Sequence, residues 1–153
     1  MRRKKWSKPL LRQAPNPKTQ IPRKIQNPNN ERNVQNPPRR DLEDRTLQFA
    51  QAVRNFVKNL PRNISNMEDV RQLVRASGSV AANWIEADEA LSKKDFLMRV
   101  KICRKEAKET RLFLRLVDPG PNKENGVKRD ALAGEGRELV LIFSTIISKS
   151  VGA

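Results

Sequence analysis

At 153 residues the chain has room for one domain and little more. Its net charge is +15 and it contains no His and one Cys, Cys103. That inventory excludes an intrachain disulfide, a metal site built on imidazole or paired thiolates, and His-dependent triad chemistry.

The charge is unevenly spread. Residues 1–40 hold twelve Lys/Arg against the single acid Glu31, whereas residues 41–153 hold twenty against sixteen. The first forty residues also contain seven of the ten prolines, with many Asn and Gln, and Gln26-Asn27-Pro28 recurs as Gln35-Asn36-Pro37. Proline this dense forbids a helix, and so little apolar content cannot offset the entropy of ordering. Residues 1–40 are therefore expected to form a disordered basic arm, either a spacer or an attractor of polyanions by charge alone. It lacks the apolar core of a secretory signal, and no apolar run in the chain approaches the ~20 residues that span a bilayer. The expectation is a soluble, reduced, cytoplasmic protein.

From Asp41 the pattern turns helical. Leu42, Thr46, Phe49, Val53, Phe56, Val57 and Leu60 fall on one stripe, with Asp41 as a candidate cap and Pro61 as a stop. Ser65-Asn66-Met67-Glu68 reads as a capping box for a second helix, whose buried arc is Val70, Leu73, Val74, Ser77, Val80, Ala81, Trp84 and Ile85. Ser92-Lys93-Lys94-Asp95 opens a third. Its seam is Phe96, Val100, Cys103, Ala107, Thr110, Leu114 and Val117, alternating by four and three. Asp118-Pro119-Gly120-Pro121 ends it, and a loop of about a dozen residues is expected before a fourth helix carrying Leu139, Ile142, Phe143, Ile146 and Ile147. Gly134 and Gly136 weaken the first turns of that helix and leave its start open. Nothing alternates convincingly with period two. The predicted fold is all-α: an antiparallel up-down-up-down four-helix bundle over residues 41–153, preceded by the disordered basic arm.

Chemistry within such a bundle would fall to carboxylates. Glu86, Glu106 and Glu109 could face inward, but ferritin-like metal sites need Glu-x-x-His pairs, and this chain offers only Glu106-x-x-Glu109. No catalytic residue, metal site or cofactor is predicted. Cys103, in the middle of the apolar seam, reads as a small buried hydrophobe.

The third helix carries the informative charges. Lys101, Arg104, Lys105, Lys108, Arg111 and Arg115 cluster in one arc of about 120°. Two readings stand: an outer solvated face, or a stripe that meets phosphates. No aromatic is interleaved with these positions, so backbone and shape recognition, rather than base stacking, is the mode they would serve. Arg99 and Glu106 fall inside the apolar arc of the same helix, and Arg75 and Glu86 line the side of the second helix away from its apolar face. Charges so placed are costly unless paired, either between helices or across a subunit contact, and a homo-oligomer is the economical explanation.

The runs Arg75-Ala76-Ser77-Gly78-Ser79-Val80-Ala81-Ala82-Asn83 with Glu86, and Ser92-Lys93-Lys94-Asp95-Phe96, resemble the bacterial four-helix-bundle family encoded in 23S rRNA intervening sequences. Ile102-Cys103-Arg104-Lys105-Glu106-Ala107-Lys108-Glu109-Thr110, Leu112, Glu138-Leu139 and Ile142-Phe143 continue the match over residues 41–150, with a departure at Ala87, where many members carry Gly. The resemblance implies a pentamer of antiparallel bundles with a basic surface and no established catalytic activity. It also implies kinship with the accessory variability protein of diversity-generating retroelements, a nucleic-acid-binding pentamer that associates with a reverse transcriptase. The expected function is a non-enzymatic, homo-oligomeric nucleic-acid-binding accessory protein with little sequence specificity. The competing expectation is a protein-interaction scaffold for a reverse transcriptase or a ribonucleoprotein.

Overall fold

The computed structural model describes residues 39–152, and the arm expected over residues 1–40 lies outside them except for Arg39 and Arg40. Those two open the first helix, so helical structure begins two residues before the expected boundary. Four helices follow: α1 (Arg39–Val57), α2 (Ile64–Asp88), α3 (Lys93–Leu116) and α4 (Lys123–Val151). No strand occurs among the described residues.

Local chemistry sets most of the ends. Asp41 does not cap α1; it lies in the first turn, where its charge complements the exposed N–H groups. The cap of α2 is Asn63 rather than Ser65. Asn63 Oδ1 accepts from Asn66 N at 2.8 Å, and the Ser65 hydroxyl, already inside the helix, donates to the same oxygen at 2.9 Å. Ser92 caps α3 as its position predicts, accepting from Asp95 N at 3.1 Å.

The main departure is α4, which starts at Lys123 behind the cap Asn122, so the expected long loop shrinks to residues 117–122. Gly136 explains why glycine does not end this helix. It is buried, and a Cβ there would stand 2.8 Å from Arg111 Cγ and 3.4 Å from Phe49 Cζ. Bare backbone lets α4 approach α3 and α1 closely, and that packing outweighs the roughly 1 kcal/mol of helix propensity that glycine forfeits. In the turn before α4, Gly120 adopts φ +74°, and a side chain there would collide with the Pro61 ring at 2.7 Å.

The helices pack in a ring, α1 on α2, α2 on α3, α3 on α4, and α4 back on α1. Cross-helix partners fix the directions. Along α3 from Arg99 through Cys103 to Glu109, the partners on α2 run backwards from Glu86 and Asn83 through Val80 to Arg75. From Arg45 in α1 to Asn59 just past its end, the partners on α4 retreat from Glu135 to Asn125. The bundle is antiparallel, and the connections 58–63 and 117–122 share one end.

Two buried asparagines stitch that end. Asn66 Nδ2 donates to Pro61 O at 3.0 Å and to Asp118 O at 2.9 Å, while Asn66 Oδ1 accepts from Asp118 N at 2.8 Å. Asn125 Nδ2 donates to Asn59 O at 3.0 Å and to Pro119 O at 3.1 Å. The side-chain amides thereby satisfy backbone groups that helix ends leave over.

The core runs along the predicted stripes: Leu42, Phe49, Val53 and Phe56 from α1, Leu73, Val80 and Trp84 from α2, Val100, Cys103, Ala107 and Leu114 from α3, and Leu139, Phe143 and Ile147 from α4. Trp84 meets Phe143 at 6.0 Å and Phe96 edge-on at 6.5 Å between ring centroids. Ile85, read as part of the α2 arc, is 48% exposed; Ala76 and Ala87 turn inward instead. One residue past Trp84 means a rotation of ~100° about the axis, and this carries Ile85 out of an arc centred on Leu73, Val80 and Trp84.

Candidate functional site

Helix α3 is the structural centre of the charged residues. Its apolar seam of Val100, Cys103, Ala107, Thr110 and Leu114 is fully buried, which fixes the rotation of the helix and therefore the direction of every other side chain. On the side away from the seam, Lys101, Lys105, Lys108 and Arg115 are exposed and Arg104 is half-buried. From Lys101 to Arg115 the row extends ~21 Å along the axis at 1.5 Å per residue. Arg111 differs from its neighbours. It is half-buried, its aliphatic stem lies over Gly136 of α4, and its Nε is buried without a hydrogen-bond partner.

The acids of α3 are occupied elsewhere. Asp95 sits in the first turn; Glu109 accepts from Arg75 Nη2 of α2 at 2.6 Å; and Glu106 is only 7% exposed. Between Phe96 and Val117 there is no other acid. Among the described residues, none of the six cations Lys101, Arg104, Lys105, Lys108, Arg111 and Arg115 has an ion-pair or hydrogen-bond partner. On α3 itself, Glu109 is thus taken up by α2 and Glu106 is buried, while the cations face outward without ion-pair partners among the described residues.

The four charges that fit no amphipathic scheme resolve into two interhelical pairs and one exception. Arg75 bridges to Glu109 and is steadied by Gln72 Oε1 at 3.2 Å. Arg99 Nη2 lies 2.5 Å from Glu86 Oε2, and its Nη1 donates to Asn83 Oδ1 at 3.2 Å. Both pairs join α2 to α3 within one chain. Each is partly exposed, so each contributes up to about 1 kcal/mol and serves mainly to set the register of the two helices. Glu106 makes no ion pair among the described residues, and its Oε2 is buried without a hydrogen-bond partner.

Other features escaped the sequence reading. Arg45 grips Glu135 with two hydrogen bonds of 2.6 and 3.0 Å across the α1–α4 seam, and this raises the Arg45 pKa above its ordinary value. The Asn66 and Asn125 stitches were also unforeseen, although Asn66 falls in line with Leu73 and Trp84, and an amide on an apolar stripe is a signal of a buried polar contact. Glu86 and Glu109 are taken up by different arginines and Glu106 has no ion-pair partner among the described residues. Among the described residues no group of three or more His, Cys, Asp or Glu is placed to hold a metal ion. The Cys103 thiol is buried, donates to Val80 O at 3.6 Å, and has its pKa pushed up to about 12 by desolvation. A thiol so placed is not a nucleophile at neutral pH. None of the described helices is long and apolar enough to cross a membrane.

Comparison with known proteins agrees with this architecture. The family model described as 23S rRNA-intervening sequence protein matches residues 41–119. A crystal structure of a protein of unknown function from the S23 ribosomal protein family of Bacteroides thetaiotaomicron VPI-5482 is 26% identical, with a TM-score of 0.60 over 72% of this chain and 97% of that one. No curated protein matches the chain.

Proposed function

The chain belongs to the 23S rRNA-intervening sequence protein family, and from that premise we propose that it is a non-enzymatic, homo-oligomeric, cytoplasmic nucleic-acid-binding accessory protein. The α3 face of Lys101, Arg104, Lys105, Lys108, Arg111 and Arg115 is its phosphate-contacting surface. One observation carries the reading. Of the two acids within the row's span of α3, Glu109 is held by Arg75 of α2 and Glu106 is buried, so six cations along ~21 Å of one helix have no ion-pair partner among the described residues. A merely solvated face, the other reading of these residues, gains nothing from such segregation.

Oligomerisation, pentameric by resemblance, would multiply the row, so that modest contacts per subunit add by avidity. The second reading is a scaffold for a reverse transcriptase or a ribonucleoprotein, in which the same cationic face meets an acidic surface.

The test is the salt dependence of binding by the intact chain, combined with the mass of the native oligomer. Each phosphate contact contributes ~0.7–0.9 to the slope of log K against log salt. Replacing Lys101, Lys105, Lys108 and Arg115 by Ala is expected to flatten that slope by about 3 for each subunit engaged. Absence of binding by the intact protein at low salt would overturn the nucleic-acid reading and favour the scaffold.

A further inference from the structure

We infer that the α3 face takes a double-stranded nucleic acid, gripped by its phosphate backbone, in preference to any single strand. The inference rests on the nucleic-acid reading above and narrows it to a ligand class.

The folded surface offers no stacking platform. Among the described residues Phe49, Phe56, Trp84 and Phe143 are buried, and Phe96 and Phe113 pack against the core. The sequence contains no Tyr. Proteins that hold single strands draw much of their affinity from stacking the bases on exposed aromatic rings. Among the described residues that contribution is absent, and on the α3 face phosphate contacts alone must offset the entropy of ordering a flexible strand.

The helix that carries the cations is held in place, and a fixed line of attachment points suits a rigid ligand. Its helix is held on the α2 edge by Arg75–Glu109 and Arg99–Glu86. On the α4 edge the Arg111 stem is pinned over Gly136. A duplex already carries its phosphates in fixed positions at one charge per ~1.7 Å of axis, so ~12 phosphates fall within the ~21 Å span of the row. The helix and the duplex are both already ordered, so ordering on binding is confined to the exposed Lys and Arg side chains.

Base reading is excluded by the same geometry. Because α3 packs between α2 and α4, it cannot enter a major groove only ~12 Å wide as an isolated recognition helix. It lies against the backbone, and binding is independent of sequence. RNA and DNA duplexes share this chemistry, and the assay below separates them.

The experiment measures fluorescence anisotropy of the full chain with four labelled probes at several salt concentrations. The probes are a mixed-sequence RNA duplex of ~20 base pairs, the DNA duplex of the same sequence, and one non-self-pairing strand of each, long enough to exceed the row. At least one duplex is expected to bind fivefold or more tightly than its own strand, and the tighter duplex identifies the natural form. In the variant with Lys101, Lys105, Lys108 and Arg115 changed to Ala, that ratio is expected to fall to about one with unchanged circular dichroism. The corresponding Gln variant guards against any loss of folding. Strands that bind as tightly as duplexes would overturn the inference and leave the nucleic-acid reading standing. A duplex preference that survives in both variants would place it outside α3 and overturn the inference equally. No binding of any probe at low salt would overturn both.

Discussion

Replacing Asn66 by Ala tests whether the shared end of the bundle is held by side-chain amides. Asn66 is 3% exposed and makes three hydrogen bonds to loop backbone, to Pro61 O, Asp118 O and Asp118 N, at 2.8–3.0 Å. Each such bond contributes ~1 kcal/mol net, and truncation also strands its buried partners, so the expected loss is about 3 kcal/mol. Against a total of ~10 kcal/mol this is a large fraction. For a domain of this size it lowers Tm by about 12 °C, at ~4 °C per kcal/mol. Thermal unfolding followed by far-ultraviolet circular dichroism measures it. Asn66→Asp sharpens the test, because a carboxylate can still accept from Asp118 N–H but cannot donate to either carbonyl, and its loss should equal or exceed that of Ala. The exposed neighbour Ser65→Ala is the control and should shift Tm by only a few degrees. If Asn66→Ala moves Tm no more than Ser65→Ala does, the amide does not hold the two loops together and the reasoning fails.

Three further predictions follow from the packing. Gly136→Val places two methyl groups where a Cβ alone would already meet Arg111 Cγ at 2.8 Å, so it should destabilise by about 2 kcal/mol or more in denaturant titration despite the gain in helix propensity. A stabilised variant would show that α4 does not need the close approach. Glu106→Leu removes a buried carboxylate with an unpartnered Oε2 and should be neutral or raise Tm; a drop in Tm together with dissociation of the oligomer would show that another subunit supplies the missing partner. Cys103, with its thiol pushed up to about 12, should resist iodoacetamide at pH 8 until the protein unfolds. Because the folded pKa lies above the ordinary value of 9.0, its contribution to stability is intact below pH 9 and is lost as pH rises from about 9 towards about 12. Cys103→Ala should abolish that part of the alkaline decline in pH-dependent unfolding, and an unchanged profile would refute the assignment.

The division between sequence and structure follows the range over which each kind of information acts. Four helices, the seam from Val100 to Val117, the Ser92 cap and the exclusion of imidazole chemistry were legible in the chain alone, because periodicity, capping and composition are local. The arc from Lys101 to Arg115 was legible for the same reason, since a 3.6-residue period determines which side chains share a face. What stayed hidden depended on a second helix. Gly136 read as a weak point because its lost propensity is local, while its gain arises only where Arg111 and Phe49 come within a few ångströms. Arg75, Glu86 and Arg99 read as misplaced charges because their partners lie across the α2–α3 contact, in a register that no single helix records. The meaning of the cationic face changed in the same way. The sequence by itself determined that six basic residues lie together, because helical periodicity is local; only the packing of α2 against α3 decided that Glu109 is taken by Arg75 instead of by a cation of its own helix.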